Sequence, residues 1–133
     1  MDIVDRMVAA TNAHDLETLA ACFAEGYELS NPVHPARSFT GRDQVRRNWT
    51  EIFAAVPDLR CEVRDRVERA GTTWLELVMT GTRRDGRPHE MAGVLILSID
   101  SDLISAARFY LEVVDHSAVD ADAAVRAVVG GRP

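Results

Sequence analysis

After Pro57 the apolar spacing of this chain changes, and that change is the strongest constraint on what it can fold into. Before it, apolar residues recur at helical spacing; after it, they alternate or fill whole runs. "LRCEVRDRV" alternates apolar and polar side chains, as a strand with one wet face does. "TTWLELVMTGT" and "HEMAGVLILSI" are apolar on both faces, and Asp85-Gly86 between them is a hairpin signal. "LISAARFYLEVV" follows a turn at "DSD" and reads as a further long strand. Strands in succession joined by short links make an antiparallel meander.

The first half supplies helices. From Asp2 to about Ala13, residues Ile3, Val4, Met7, Val8 and Thr11 share one helical face. In "HDLETLAACFAEG", Asp15 is placed to cap a helix whose stripe is Leu16, Leu19, Ala20 and Phe23, with Gly26 as the stop. Tyr27 to Ser30 is a short strand, and "NPVHPARSF" is a polar, proline-containing loop. A third helix runs from about Arg42 to Ala55, with Val45, Trp49, Ile52 and Phe53 on one face and Pro57 ending it. Helices first and strands second give an α+β domain over residues 1–115, with helices on one face of a curved sheet. The tail, 116–133, reads as a weak helix or as disordered.

Composition excludes several functions. With 133 residues the chain is one domain long enough for a core without disulfides. Cys22 and Cys61 sit in apolar patterns and read as buried free thiols, which fits a reducing cytoplasm. The acidic, amphipathic N-terminus is wrong for a signal peptide, and no apolar run nears the roughly 20 residues of a membrane span. Every one of the 15 basic residues is arginine, but the net charge is −6 and acids interleave with the arginine clusters, so no nucleic-acid partner is expected. None of the four histidines pairs at a metal-ligand spacing, and CxxC, HExxH, GxGxxG and P-loop motifs are absent from the sequence. Neither a metal nor another cofactor is expected.

Strands apolar on both faces need cover on both sides. The helices cover one, and a second copy of the chain is the simplest cover for the other, so a homodimer through the sheet is expected. Alternation puts Ala107, Phe109 and Leu111 opposite Arg108, Tyr110 and Glu112, and the uncharged set belongs under the helices. In "WLELV", Trp74, Glu76 and Val78 oppose Leu75, Leu77 and Met79. Either Glu76 faces the helices among Trp49, Trp74, Met91 and Phe109, with its pKa raised, or it pairs with an arginine across the sheet or dimer. His34 stands between two prolines as an exposed loop histidine or as a lid or acid/base group.

The succession helix, helix, "GYELSNP", "GRDQVRRNW", "PDL", "WLELVMTGT", "DGRP", "LISAARFYLEV" resembles the nuclear transport factor 2-like superfamily, and within it the SnoaL-like branch, over about Asp2 to Asp115. The resemblance implies a cone: a curved antiparallel sheet with three N-terminal helices on its concave face and a pocket at the wide end. It also brings relatives of different activity, namely ketosteroid isomerase, limonene-type epoxide hydrolase and polyketide cyclases. The position of the isomerase's proton-abstracting aspartate is Asn31 here, and its oxyanion-hole positions fall on Met7 and Leu95. All three isomerase roles are lost, which argues against that activity. Against the epoxide hydrolase, Asn31 and the acid at Glu76 are kept, while Trp74 replaces an arginine and Phe109 an aspartate. The histidine that polyketide cyclases often carry after a "GT" pair is Arg83.

What the resemblance implies is a cone pocket for a small, largely apolar molecule of terpenoid, steroid or polyketide type. It tips Glu76 toward that pocket. Glu76 and Asn31 are the catalytic candidates for isomerase, cyclase or epoxide hydrolase chemistry, with Trp49, Phe53, Trp74, Met91, Phe109, Leu111 and His34 lining the site. The alternative is a non-catalytic ligand carrier or a dimeric interaction module.

Overall fold

Asp2 opens the first helix by accepting the Asp5 N–H on its side chain at 2.9 Å, and His14, at φ 55°, closes it. In this computed structural model, which describes residues 1–130, that helix (α1) spans Ile3–Ala13 and buries Ile3, Val4, Met7, Ala10 and Thr11. Asp15 caps α2, Leu16–Ala21, through the Thr18 N–H at 3.1 Å.

The chain then leaves the helix earlier than its spacing predicts. Phe23, expected on the helical stripe, begins a strand instead: β1 spans Phe23–Ser30. Phe23 and Tyr27 are four residues apart, a separation that suits one face of a helix and one face of a strand equally. Pairing decides between them, because the Cys22 carbonyl accepts the Ile104 N–H at 2.9 Å and the strand joins the sheet there. A two-residue strand β2, Phe39–Thr40, turns back along β1, and α3 follows at Arg42–Ala55.

The rest is the meander: β3 Arg60–Arg69, β4 Thr72–Thr82, β5 Pro88–Asp100 and β6 Leu103–Val113. The six strands form one curved, open sheet in the order β2-β1-β6-β5-β4-β3. Neighbours are antiparallel except β1 and β6, which run parallel. That single parallel pair departs from the all-antiparallel sheet expected, and it arises because α3 and the whole meander form the crossover between the two strands. The Asp85-Gly86 turn joins β4 to β5, with Gly86 at φ 87°.

Register settles the two faces of the sheet. Leu75, Leu77 and Met79 pair with Leu95, Gly93 and Met91 of β5, and these with Phe109, Leu111 and Val113 of β6. This face lies under the helices; Leu75 and Leu77 are 0% and 1% exposed, Ala107 and Leu111 are buried. The ladder shifts between Val63 and Asp65 and between Ser98 and Ile99, and such bulges bend a sheet. Arg66 lies on the helix side and gathers Asp2, Asp5 and Glu68, tying the start of α1 to β3. Asn12 holds the same pair from further along, donating to the Cys61 carbonyl at 3.0 Å and accepting its N–H at 2.7 Å.

Beyond β6 the chain makes an exposed helical stretch, α4 at Ala121–Val125 with a wider turn at Arg126–Gly130. The last three positions of the tail, 131–133, lie outside the described residues. No helix among the described residues is long and apolar enough to cross a membrane.

Candidate ligand-binding site

Three parts of the fold, β1, α3 and the β5–β6 pair, converge at one end of the sheet. From β1 and the loop after it, Tyr27, Leu29 and Asn31 alternate onto one side. From α3, Val45, Asn48, Trp49 and Ile52 recur at the i, i+3, i+4, i+7 spacing of one helical face. From β5 and β6 come Met91, Phe109, Leu111 and Val113. Gly41 donates its N–H to the Tyr27 carbonyl at 2.6 Å, and Arg42 Nε donates to the Phe23 carbonyl at 2.9 Å. These bonds lock the start of α3 against β1.

Between the three lies an open cavity of about 490 Å³. Behind it, toward α1, is a smaller, more enclosed chamber of about 80 Å³. The two share Phe23, Tyr27, Leu29, Trp49, Phe109 and Leu111, which form a throat between mouth and chamber. A wider surface depression of about 620 Å³ lies between residues 1–6 and the β3–β4 hairpin, and it is rich in charged groups. The mouth has the apolar walls and few convergent polar groups of a small-molecule site.

Two of its polar groups are almost wholly enclosed. Asn31 is 3% exposed, as is Tyr27. The Asn31 Oδ1 accepts the His34 N–H at 2.9 Å, and its own backbone N–H donates to Ser38 Oγ at 2.9 Å. Its Nδ2 has no hydrogen-bond partner among the described residues, and neither has the Tyr27 hydroxyl. No described side-chain polar atom is sealed from solvent while unpaired. Both groups therefore open onto the cavity they line. Burial raises the Tyr27 pKa, so at neutral pH its hydroxyl is a neutral donor. The Asn48 Oδ1 accepts from Gln44 Nε2 at 2.7 Å, and Arg37 has no ion pair among the described residues.

The structure brings together Asn31, Trp49, Met91, Phe109 and Leu111 from the set chosen by sequence. His34 stands outside the lining at the rim, its Nε2 3.0 Å from Glu112 Oε1. Phe53 is absent from the lining; its ring stacks on His14 with centroids 4.6 Å apart. Trp74 and Glu76 require correction. Both project from the opposite face of the sheet, and Trp74 is 38% exposed. The pleat gives the inner face of β4 to Leu75, Leu77 and Met79, and this leaves the Glu76 carboxylate in water, where it keeps its hydration. Glu76 thus lies outside the cavity and has no ion pair among the described residues. Sequence reasoning passed over Tyr27, Arg37, Asn48 and Glu112. For Tyr27 a signal existed: counting back by twos from Asn31 reaches Leu29 and then Tyr27. Among the described residues no group of three or more His, Cys, Asp and Glu side chains converges as a metal site would need.

Comparison with known proteins bears on the family and the fold. The sequence model of the SnoaL-like domain matches residues 4–107, most of the chain. The protein belongs to the SnoaL-like domain family. Solved structures resemble this SnoaL-like chain over most of their length. One is IdmH of Streptomyces antibioticus, described as a candidate polyketide cyclase, at 22% identity and a TM-score of 0.70, covering 82% of this chain and 88% of that one. Another is AclR of Streptomyces galilaeus, described as a candidate hydroxylase, at 16% identity and a TM-score of 0.74, covering 98% and 84%. A third is a hypothetical protein of ketosteroid isomerase-like fold from Catenulispora acidiphila, in complex with trimethylamine, at 17% identity and a TM-score of 0.70, covering 81% and 84%. These likenesses establish the nuclear transport factor 2-like fold. No curated protein matches the chain in sequence.

Proposed function

We propose that this SnoaL-like protein binds a small, largely apolar, oxygenated molecule of terpenoid, steroid or polyketide type in its cone. The observation that carries the reading is the pair of unpaired donors, Tyr27 hydroxyl and Asn31 Nδ2, set among mostly apolar and aromatic side chains. Both donors open onto the cavity, so a ligand oxygen held there by the apolar walls can accept from them in place of water. The test uses 1-tetralone, a bicyclic ketone, against the hydrocarbon tetralin. In a Trp74→Phe protein, Trp49 is the remaining tryptophan and reports on the mouth. The ketone quenches Trp49 and binds more tightly than the hydrocarbon does by calorimetry. Equal affinity for the two removes the proposal.

A second reading, catalysis, rests on the His34–Glu112 pair at the rim, 3.0 Å apart and beside the Asn31 amide. A histidine so oriented by a carboxylate takes a proton α to a bound carbonyl. Faster exchange of the α-hydrogens of 1-tetralone in D2O, lost in His34→Gln, supports this reading; exchange at the buffer rate leaves a ligand carrier.

The outer face of the sheet belongs to a second copy of the chain. Trp74 and Tyr110 are each 38% exposed there, Val67 is 56% exposed, and Glu76 and Arg108 lie among them without ion pairs among the described residues. A two-fold axis would let each copy's Glu76 meet an arginine of the other. Light scattering should give a dimer mass that Trp74→Glu reduces to the monomer's; a monomeric parent protein excludes the pairing.

A further inference from the structure

The chamber behind the throat differs from the mouth in kind. The mouth carries Asn31, Arg37, Asn48, Glu51 and Glu112, whereas the chamber is lined by apolar side chains such as Met7, Leu77 and Met79. Apart from the Tyr27 hydroxyl and the Trp49 indole N–H at the throat it shares with the mouth, its polar groups are those of Thr11 and Cys61. Thr11 Oγ1 donates to the Met7 carbonyl at 2.8 Å, and the Cys61 thiol, its pKa pushed up to about 11 by burial, stays protonated. A buried water needs two to four polar partners, and the chamber does not offer them. A cavity of this composition stays dry and takes an apolar group. The throat between is aromatic, with Tyr27, Trp49 and Phe109 at its walls, which suits a flat ring.

We infer that the chamber fixes the ligand's orientation and class: a ring carrying a short alkyl substituent, which enters first and fills the chamber, with the ring oxygen function left at Tyr27 and Asn31 in the throat and mouth. This rests on the binding reading above and narrows it. The volume sets the length of the substituent. At roughly 30 Å³ for a group the size of a water molecule, 80 Å³ holds about two to three carbons.

The test is a series of acetophenones with hydrogen, methyl, ethyl, propyl, butyl and hexyl at the para position, titrated against the Trp74→Phe protein by Trp49 quenching. Each methylene that enters the chamber should tighten Kd by about fourfold. The rise should stop near propyl, and butyl and hexyl should bind no better or worse. Met79→Ala enlarges the chamber without touching the mouth, and it should move the break to a longer chain. The series in the protein without that change decides the matter even where Met79→Ala fails to fold. Failure of acetophenone itself to bind counts against the pocket reading as a whole. Binding of acetophenone with no gain on adding methyl or ethyl overturns the chamber inference alone. So does a gain that continues unbroken through hexyl, because the chain then lies somewhere unbounded.

Discussion

Replacing Gly93 by alanine should damage this protein more than any other single methyl group added to its sheet. Gly93 lies in β5 between Leu77 and Leu111, at φ 153°. A Cβ there would stand 2.0 Å from the Tyr110 carbonyl oxygen and 2.8 Å from Leu111 Cα. Both obstacles are backbone, so no rotamer change relieves them, and β6 must retreat by about 1 Å to reach the 3.0 Å that real Cβ atoms respect. Backbone strain at such a φ costs about 1–3 kcal/mol. A weakened hydrogen bond or two in the β5–β6 ladder adds about 1 kcal/mol each. A total near 3–4 kcal/mol is a large share of the roughly 5–15 kcal/mol that a domain has. With a urea slope of about 2 kcal/mol per molar, the unfolding midpoint should fall by about 1.5–2 M at unchanged slope. A fall below about 0.3 M would refute the reasoning, since it would mean the strands have room there. Leu111 also lines the mouth and the chamber, so any Gly93→Ala protein that folds should bind ligand more weakly.

Two further expectations concern protons. His116 should titrate above 6.5, because Glu90 accepts a hydrogen bond from it and its charge favours the imidazolium; His89 should titrate below 6.5, because burial and then Arg83 disfavour its charge. One NMR titration reads both, and Glu90→Gln should bring His116 back toward 6.5 while leaving His89 in place. Asp2→Ala should cost about 0.5–1 kcal/mol at pH 7, the lower part of the range for a helix cap because the group is half exposed. The Asp5 N–H, and then Arg66, hold the Asp2 carboxyl below its ordinary 3.8. Its contribution is therefore complete above about pH 4 and is lost as pH falls through the depressed pKa, so the two proteins' urea midpoints should converge in acid.

The meander was legible because strand evidence in this chain is local: alternation, both-face apolar runs and an Asp-Gly turn each sit within a dozen residues. The start of β1 was not, because Phe23 and Tyr27 satisfy two periods and the choice is made by β6, some 80 residues on. Glu76 shows the limit for a site. Alternation divides β4 into two faces, but only the helices' packing says which is inner, and the carboxylate lies on the other one. Phe53 was on the apolar face of α3, yet that face is wide enough for Trp49 to meet the cavity while Phe53 turns to His14. Tyr27 was hidden for a different reason: a tyrosine in a short strand is ordinary core material until its hydroxyl is seen to lack a partner.

That hydroxyl is where the central claim is most exposed. Tyr27→Phe removes one oxygen that bonds no described residue, so stability should be unchanged or slightly higher. The hydrogen bond to a ligand carbonyl should be lost, weakening 1-tetralone by about 2- to 12-fold, the range for a neutral hydrogen bond, while tetralin is unaffected. The measurement is calorimetric titration of both compounds into both proteins, with thermal unfolding alongside. Selective loss for the ketone at unchanged melting temperature is what the account predicts. Equal weakening of both compounds, or no weakening with a lower melting temperature, would contradict it and return Tyr27 to the core.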